Sequence, residues 1–283
     1  MATRISIWLG FVLLLFFPPD THAQKNANTD SSLIPLNRLR LIGTIPGDYS
    51  YMNADVLDNI YLITTGNRLI KLNNKRDSVA VFNEVKKFGN PSYIDVSNPL
   101  KILVYYKNYS TILALDRFLI QRNHINLRNK NIFSVNTVAT SYDNNFWIFD
   151  EQDYKIKKIN DQGDVLLESS DIRLLTNESP VPSSIIDCDN QLYVYDENNG
   201  FYLFDYYGTY KNKIPFTDWK HVSVSNNILY GFHHNTLVTC QVKKLDQKTY
   251  TLPKTVSDFI NIKSINGKLY ILKKSGLEIY VLD

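Results

Sequence analysis

The chain has 283 residues, with 31 Lys and Arg against 28 Asp and Glu, so its formal charge is only +3. Apolar residues make up 44% and aromatics 13%, enough for a packed core and too many for a disordered chain. Near-neutrality leaves neither a basic footprint for nucleic acid nor an acidic tail.

Residues 1–23 read as a signal peptide. Arg4 supplies the positive n-region, Ile5 to Phe17 the apolar stretch, and Pro18-Pro19-Asp20 breaks it before the small residues of Thr21-His22-Ala23. The apolar run is short for a membrane span, which takes about 20 residues. The expectation is therefore an exported protein, in the periplasm or at the cell surface, with no transmembrane segment after cleavage. Residues 24–37 form a linker and 38–283 the folded domain. Only Cys188 and Cys240 are present, too few for a disulfide-stapled scaffold.

From Asp58 onward the chain repeats itself. An Asx or Gly followed three residues later by an aromatic recurs at Asp58…Tyr61, Asn144…Trp147, Asn190…Tyr193, Asn227…Tyr230 and Gly267…Tyr270. A further unit, Asn98…Lys101, carries a lysine where the ring belongs. Intervals of 40, 46, 46, 37 and 40 residues separate these positions, a period that points to a propeller, a solenoid or an array.

The interior of one unit decides among them. Val138 to Ser141, Phe146 to Phe149, Tyr154 to Ile159 and Asp164 to Leu167 are four short strands, rich in aromatic and β-branched residues and parted by Asn/Asp/Gly turns. Their apolar residues are consecutive rather than alternating, as strands buried on both faces require. No sustained 3.6-residue period supports a helical solenoid. The sixth unit ends at its third strand, Leu277 to Asp283, whereas Arg38 to Ile45 reads as a fourth strand ahead of the first unit. Other fourth strands are expected at Ser78 to Phe82, Phe118 to Gln121 and Thr249 to Leu252. The predicted fold is all-β: a six-bladed β-propeller of four-stranded antiparallel blades, the N-terminal strand completing the last blade and closing the ring.

Tyr142-Asp-Asn-Asn-Phe-Trp-Ile-Phe-Asp150 with Lys155-Ile-Lys-Lys-Ile-Asn-Asp-Gln-Gly163 resembles a degenerate NHL repeat, and Asp189-Asn-Gln-Leu-Tyr-Val-Tyr-Asp196 repeats its first half. The customary Asn-x-Arg before the third strand is missing from most units, though Asn67-Arg68 comes near it. As a whole the chain resembles exported six-bladed propellers of Bacteroidetes. The resemblance implies fold and export; members of such families range from adaptors to lactonases and lyases.

Binding residues are expected on the loops between second and third strands and between blades. These supply Tyr106, Tyr109, Asp150, Asp153, Tyr154, Glu197, Trp219, His233 and His234 as candidates for a ligand or partner. Adjacent histidines on a strand point to opposite faces, and no HxH or HExxH accompanies His233-His234, so no transition-metal site is expected. Calcium remains as an alternative through Asp150, Asp153, Asp196 and Glu197. Against it, Ala54-Asp55-Val56 stands where metal-dependent six-bladed lactonases place a Glu. No catalytic residue is assigned: no Gly-x-Ser-x-Gly elbow or phosphate-binding loop stands out.

The functional expectation is an exported, non-catalytic propeller acting as a protein–protein interaction platform in the cell envelope, a subunit of an envelope assembly, without a cofactor. The alternatives are a calcium-dependent lactonase- or lyase-like hydrolase over the central channel and a carbohydrate-binding propeller.

Overall fold

The computed structural model describes residues 34–35 and 39–282; the signal-peptide segment lies outside the described residues. Six four-stranded antiparallel sheets follow one another along the chain. Their first strands are Tyr49–Ala54, Tyr93–Asp95, Val135–Thr140, Ser184–Cys188, Lys220–Ser225 and Asn261–Ile265, in blades one to six. The sixth blade takes its outermost strand from Leu39–Pro46, which pairs antiparallel with Gly276–Leu282. The ring is thus closed by hydrogen bonds rather than by chain continuity, as the N-terminal segment predicted.

Local chemistry explains the repeat. At the turn between first and second strands, Asp58, Asn144, Asn190, Asn227 and Gly267 all adopt left-handed φ between 58° and 68°. Asx and Gly adopt that conformation at less cost than other residues. Three residues on, Tyr61, Trp147, Tyr193 and Tyr270 are almost wholly buried. The second unit departs from both rules. Asn98 instead accepts from the Leu100 amide through its side chain, 2.9 Å. Lys101 lays its amine 4.3 Å from the Phe146 ring centre and pairs with Asp161 at 2.7 Å, so a cation ties blade two to blade three where a ring does so elsewhere.

The core is six apolar layers, one between each pair of neighbouring blades. Between blades one and two, Tyr61 and Ile63 meet Ile102 and Val104. At the closure, Met52, Ile60 and Leu62 of blade one meet Tyr270, Leu277 and Ile279 of blade six. Each second and third strand is covered on both sides, which is why their apolar residues run consecutively.

Two details differ from the sequence reading. The fourth strand of blade two is Gln121–Asn126, so Phe118 sits on the preceding turn, where Asp116 accepts from the amides of Phe118 and Ile120. Within the expected linker, Ile34–Pro35 adds a short parallel strand to the outer edge of blade five, opposite Tyr250 and Thr251.

Candidate functional site

Every first strand runs from one face of the ring to the other. The face where strands one–two and three–four are joined is the turn face; the opposite one, with the two–three loops and the blade connections, is the loop face. First strands of blades one, two, four, five and six line a central channel. Asn53, Tyr93, Ser184, Val222 and Lys263 border both of its ends and form its waist.

Towards the turn face the channel widens to a cavity of about 260 Å³ with Asp55, Asp95, Asp187 and Cys188 in its wall. These carboxylates hold the blades together. Asp55 accepts from the amides of Leu57 and Asn59 and from the Tyr61 hydroxyl. Asp95 accepts from Ser97 N and, across the blade boundary, from Thr140 N at 2.6 Å. Asp187 accepts from Ser141, Tyr142 and Trp147 of blade three, and burial raises its carboxyl above the usual aspartate value. Burial, with Asp189 beside it, pushes the Cys188 thiol up to about 12, so the sulfur is held as a thiol and not as a nucleophilic thiolate. Cys188 and Cys240 are both free.

Towards the loop face the cavity is about 280 Å³, bordered by Tyr195, Glu197, Trp219, Lys220 and His221. Glu197 pairs with Lys220 across this mouth. Trp219 is buried: its ring stacks on Phe216 at 5.1 Å and its amide donates to the Tyr195 hydroxyl at 2.7 Å. Gly231 is required beneath it, because a Cβ there would lie 2.4 Å from the indole.

Of the nine residues expected at the site, Glu197 and Trp219 border the channel. Tyr106 is buried against Phe88, with centroids 5.4 Å apart, while Tyr109 is exposed at the loop tip. Asp150 and Asp153 share the Lys157 amine, at 2.7 Å for Asp150. Tyr154 stands edge-on to Phe149 with the Arg173 guanidinium 4.2 Å from its centre. His233 and His234 stack on each other, 4.3 Å between centroids. The oxygens weighed for calcium are therefore already engaged: Lys157 takes Asp150 and Asp153, Lys220 takes Glu197, and Asp196 accepts from Val181, Asn198 and Asn199 amides. Among the described residues no group of three or more His, Cys, Asp or Glu side chains converges on a common point for a metal.

Two groups of the waist were not anticipated. Burial lowers the Lys263 amine below the ordinary lysine value, against the opposing pull of Asp95. Burial likewise holds the Tyr93 phenol well above the usual tyrosine value, reinforced by Asp95. The only signal in sequence is position: both stand on first strands, at residues whose neighbours face the blade cores.

No family model and no curated protein matches the chain. Solved structures do. A streptogramin B lyase is 17% identical with a TM-score of 0.58, covering 82% of this chain and 78% of that one. BamB from Moraxella catarrhalis is 10% identical with a TM-score of 0.54, over 86% of this chain and all of that one. A chain of the mitotic checkpoint complex is 10% identical with a TM-score of 0.56, over 96% and 99%. The class of protein is thereby defined as a β-propeller, here of six blades. Likeness at these identities carries the fold alone, and one scaffold serves a lyase and a member of a complex alike.

Proposed function

We propose that the chain is an exported, non-catalytic β-propeller that docks a protein partner in the cell envelope. The observation carrying this reading is an arc of exposed apolar side chains on the turn face of four consecutive blades. Leu57, Leu100, Phe118, Tyr142 and Tyr207 each leave more than half of their surface in water, and Tyr207 leaves 81%. All five lie on strand one–two or three–four turns, so the antiparallel topology brings them out on the same face. The loop face exposes apolar groups as well, Phe133, Leu174 and Val181 among them, but the turn-face row stands on short turns repeated from blade to blade. Exposed apolar groups on a rigid face mark an interaction surface, and large rings supply most of the binding energy at such surfaces.

Preorganisation is the mechanism. Hydrogen-bonded Asx turns hold the anchors before the partner arrives: Asp55 caps the turn carrying Leu57, and Asp205 accepts from the amides of Tyr207 and Thr209. Binding then sacrifices little ordering entropy. Membership of one matching chain in the mitotic checkpoint complex is consistent with this use of the scaffold. The hydrolase alternative lacks comparable support, since Lys157 and Lys220 neutralise Asp150, Asp153 and Glu197, and Asp196 is taken up by backbone amides. Recovery of a partner by the tagged chain, and its loss when turn-face anchors are replaced, tests the reading. A chain found in the cytoplasmic fraction overturns its export component.

A further inference from the structure

On the loop face a second set of apolar side chains stands in water, around blades two to four. Leu174 leaves 84% of its surface exposed, and Tyr109, Phe133 and Val181 each leave more than half. Leu174 and its exposed neighbour Leu175 belong to the short helix Ile172–Thr176, which is fixed from below and at both ends. Ile172 is fully buried and its amide donates to the Tyr154 carbonyl at 3.0 Å, while Asp171 and Asn177 cap the turn. Both leucines are therefore held in place facing water.

Hydrogen bonds join this apolar tip to a basic sector. The Lys107 amine donates to Asn136 Oδ1, and Asn136 Nδ2 donates to the Pro182 carbonyl at 2.9 Å, next to Val181. Arg128 donates to Ser110 Oγ and to the Asn108 carbonyl, on the same loop as Lys107. The Tyr109 ring lies against Gly89, where a Cβ would sit 3.0 Å from it, at the end of the helix Val85–Phe88 that carries Lys86 and Lys87. Among the described residues Lys86, Lys87, Lys107 and Arg128 have no carboxylate partner. Between residues 83 and 134 the one carboxylate on this face is Glu84, and Glu151 of blade three is the next. The turn face differs: Lys101, Arg122 and Lys158, close to Leu100, Phe118 and Tyr142, are already paired with Asp161, Asp116 and Asp143.

We propose that the loop face of blades two to four seats the chain on an anionic lipid bilayer, with Leu174 and Leu175 entering the headgroup layer and Lys86, Lys87, Lys107 and Arg128 meeting lipid phosphates. Apolar side chains gain by leaving water at the acyl boundary, and cations near an anionic surface add to that gain until salt screens them. Lysine stems lie along the boundary with their amines among the headgroups. The turn face then points away from the bilayer, so this seat is independent of the protein docking proposed above.

The test sediments the purified mature chain with vesicles of phosphatidylcholine, with and without phosphatidylglycerol, at low and at high salt. The expected result is binding about tenfold or more tighter to the phosphatidylglycerol vesicles at low salt, weakened at high salt. Leu174→Ser with Leu175→Ser is expected to lose most of that binding, and Lys86→Gln with Lys87→Gln to weaken the preference for phosphatidylglycerol. All four side chains are exposed, and unchanged melting midpoints check that both variants fold. A Leu57→Ser, Tyr142→Ser, Tyr207→Ser chain, altered on the turn face alone, should bind vesicles as the native chain does. Equal sedimentation with both vesicle types overturns the proposal, as does unchanged binding after the leucine substitutions. A protein recovered crosslinked beside Leu174, with no vesicle binding, also overturns it and assigns this face to a protein.

Discussion

The indole nitrogen of Trp147 in blade three donates to Asp187 Oδ2 in blade four across 2.9 Å. The same oxygen accepts from Ser141 Oγ and Tyr142 N, so one carboxylate fastens a turn and a core ring of one blade to the channel strand of the next. Replacing Asp187 by Ala leaves a buried indole N–H unpaired, which costs about 1–3 kcal/mol. Urea titration is expected to show that loss for Asp187→Ala and a smaller one for Asp187→Asn, which keeps an acceptor oxygen.

Acid should loosen the closure between blades six and one. Burial raises the Asp58 carboxyl, but hydrogen bonds from Lys268, Asn266 and Tyr270 outweigh it and hold the carboxyl below the usual aspartate value. A depressed folded-state value contributes stability above the unfolded value of about 3.9, and that contribution disappears as pH falls through the folded one. Asp58→Asn is therefore expected to be less stable than the native chain at pH 6. The difference between the two should shrink towards zero as urea titrations are repeated down to pH 2.5.

Gly276 starts the third strand of blade six at φ 133°, where a Cβ would lie 2.3 Å from the Ile45 carbonyl oxygen of the closing strand. Gly276→Ala must shift that backbone apart. Strained positions of this kind cost about 1–3 kcal/mol. Thermal melting should fall accordingly, whereas Gly267→Ala, with nothing within 4 Å of its Cβ position, is expected to lose less.

Asp150 is buried and its charge is met by Lys157, itself nearly buried. Breaking a buried pair from one side costs about 3–5 kcal/mol because the remaining charge stays desolvated. Lys157→Met is expected to be destabilised to that extent in urea. With the native lysine in place, saturating calcium should leave the melting midpoint unchanged, since a ligand that binds only the folded state must raise it.

Much of the fold was legible because propeller turns demand particular residues. Asx or Gly at the left-handed position and a ring three places on announced five of the six units, and the spare strand at Leu39–Pro46 announced the closure. The remaining one, the second unit at Asn98…Lys101, was misleading in appearance only: Lys101 bridges to Phe146 and Asp161 instead of packing a ring. The site was less legible. Loop carboxylates such as Asp150 and Asp153 look available in sequence, yet Lys157, four residues past Asp153 on the third strand, turns back to neutralise them. Lys263 carries no motif at all. Its place in the channel depends on which first-strand residues meet at the waist, a relation among blades more than 150 residues apart in sequence, as with Asn53.

The central claim is that the turn face docks a protein. The most direct measurement is a crosslinked pull-down of the tagged mature chain from its own cell envelope, run beside a Leu57→Ser, Tyr142→Ser, Tyr207→Ser variant. Exposed substitutions of this kind change stability by about 0.5 kcal/mol or less each, so the variant is expected to fold. The account predicts one stoichiometric partner with the native chain, crosslinked at the turn face, and its loss with the variant. Equal recovery from both chains, or no partner above background from either, would contradict it.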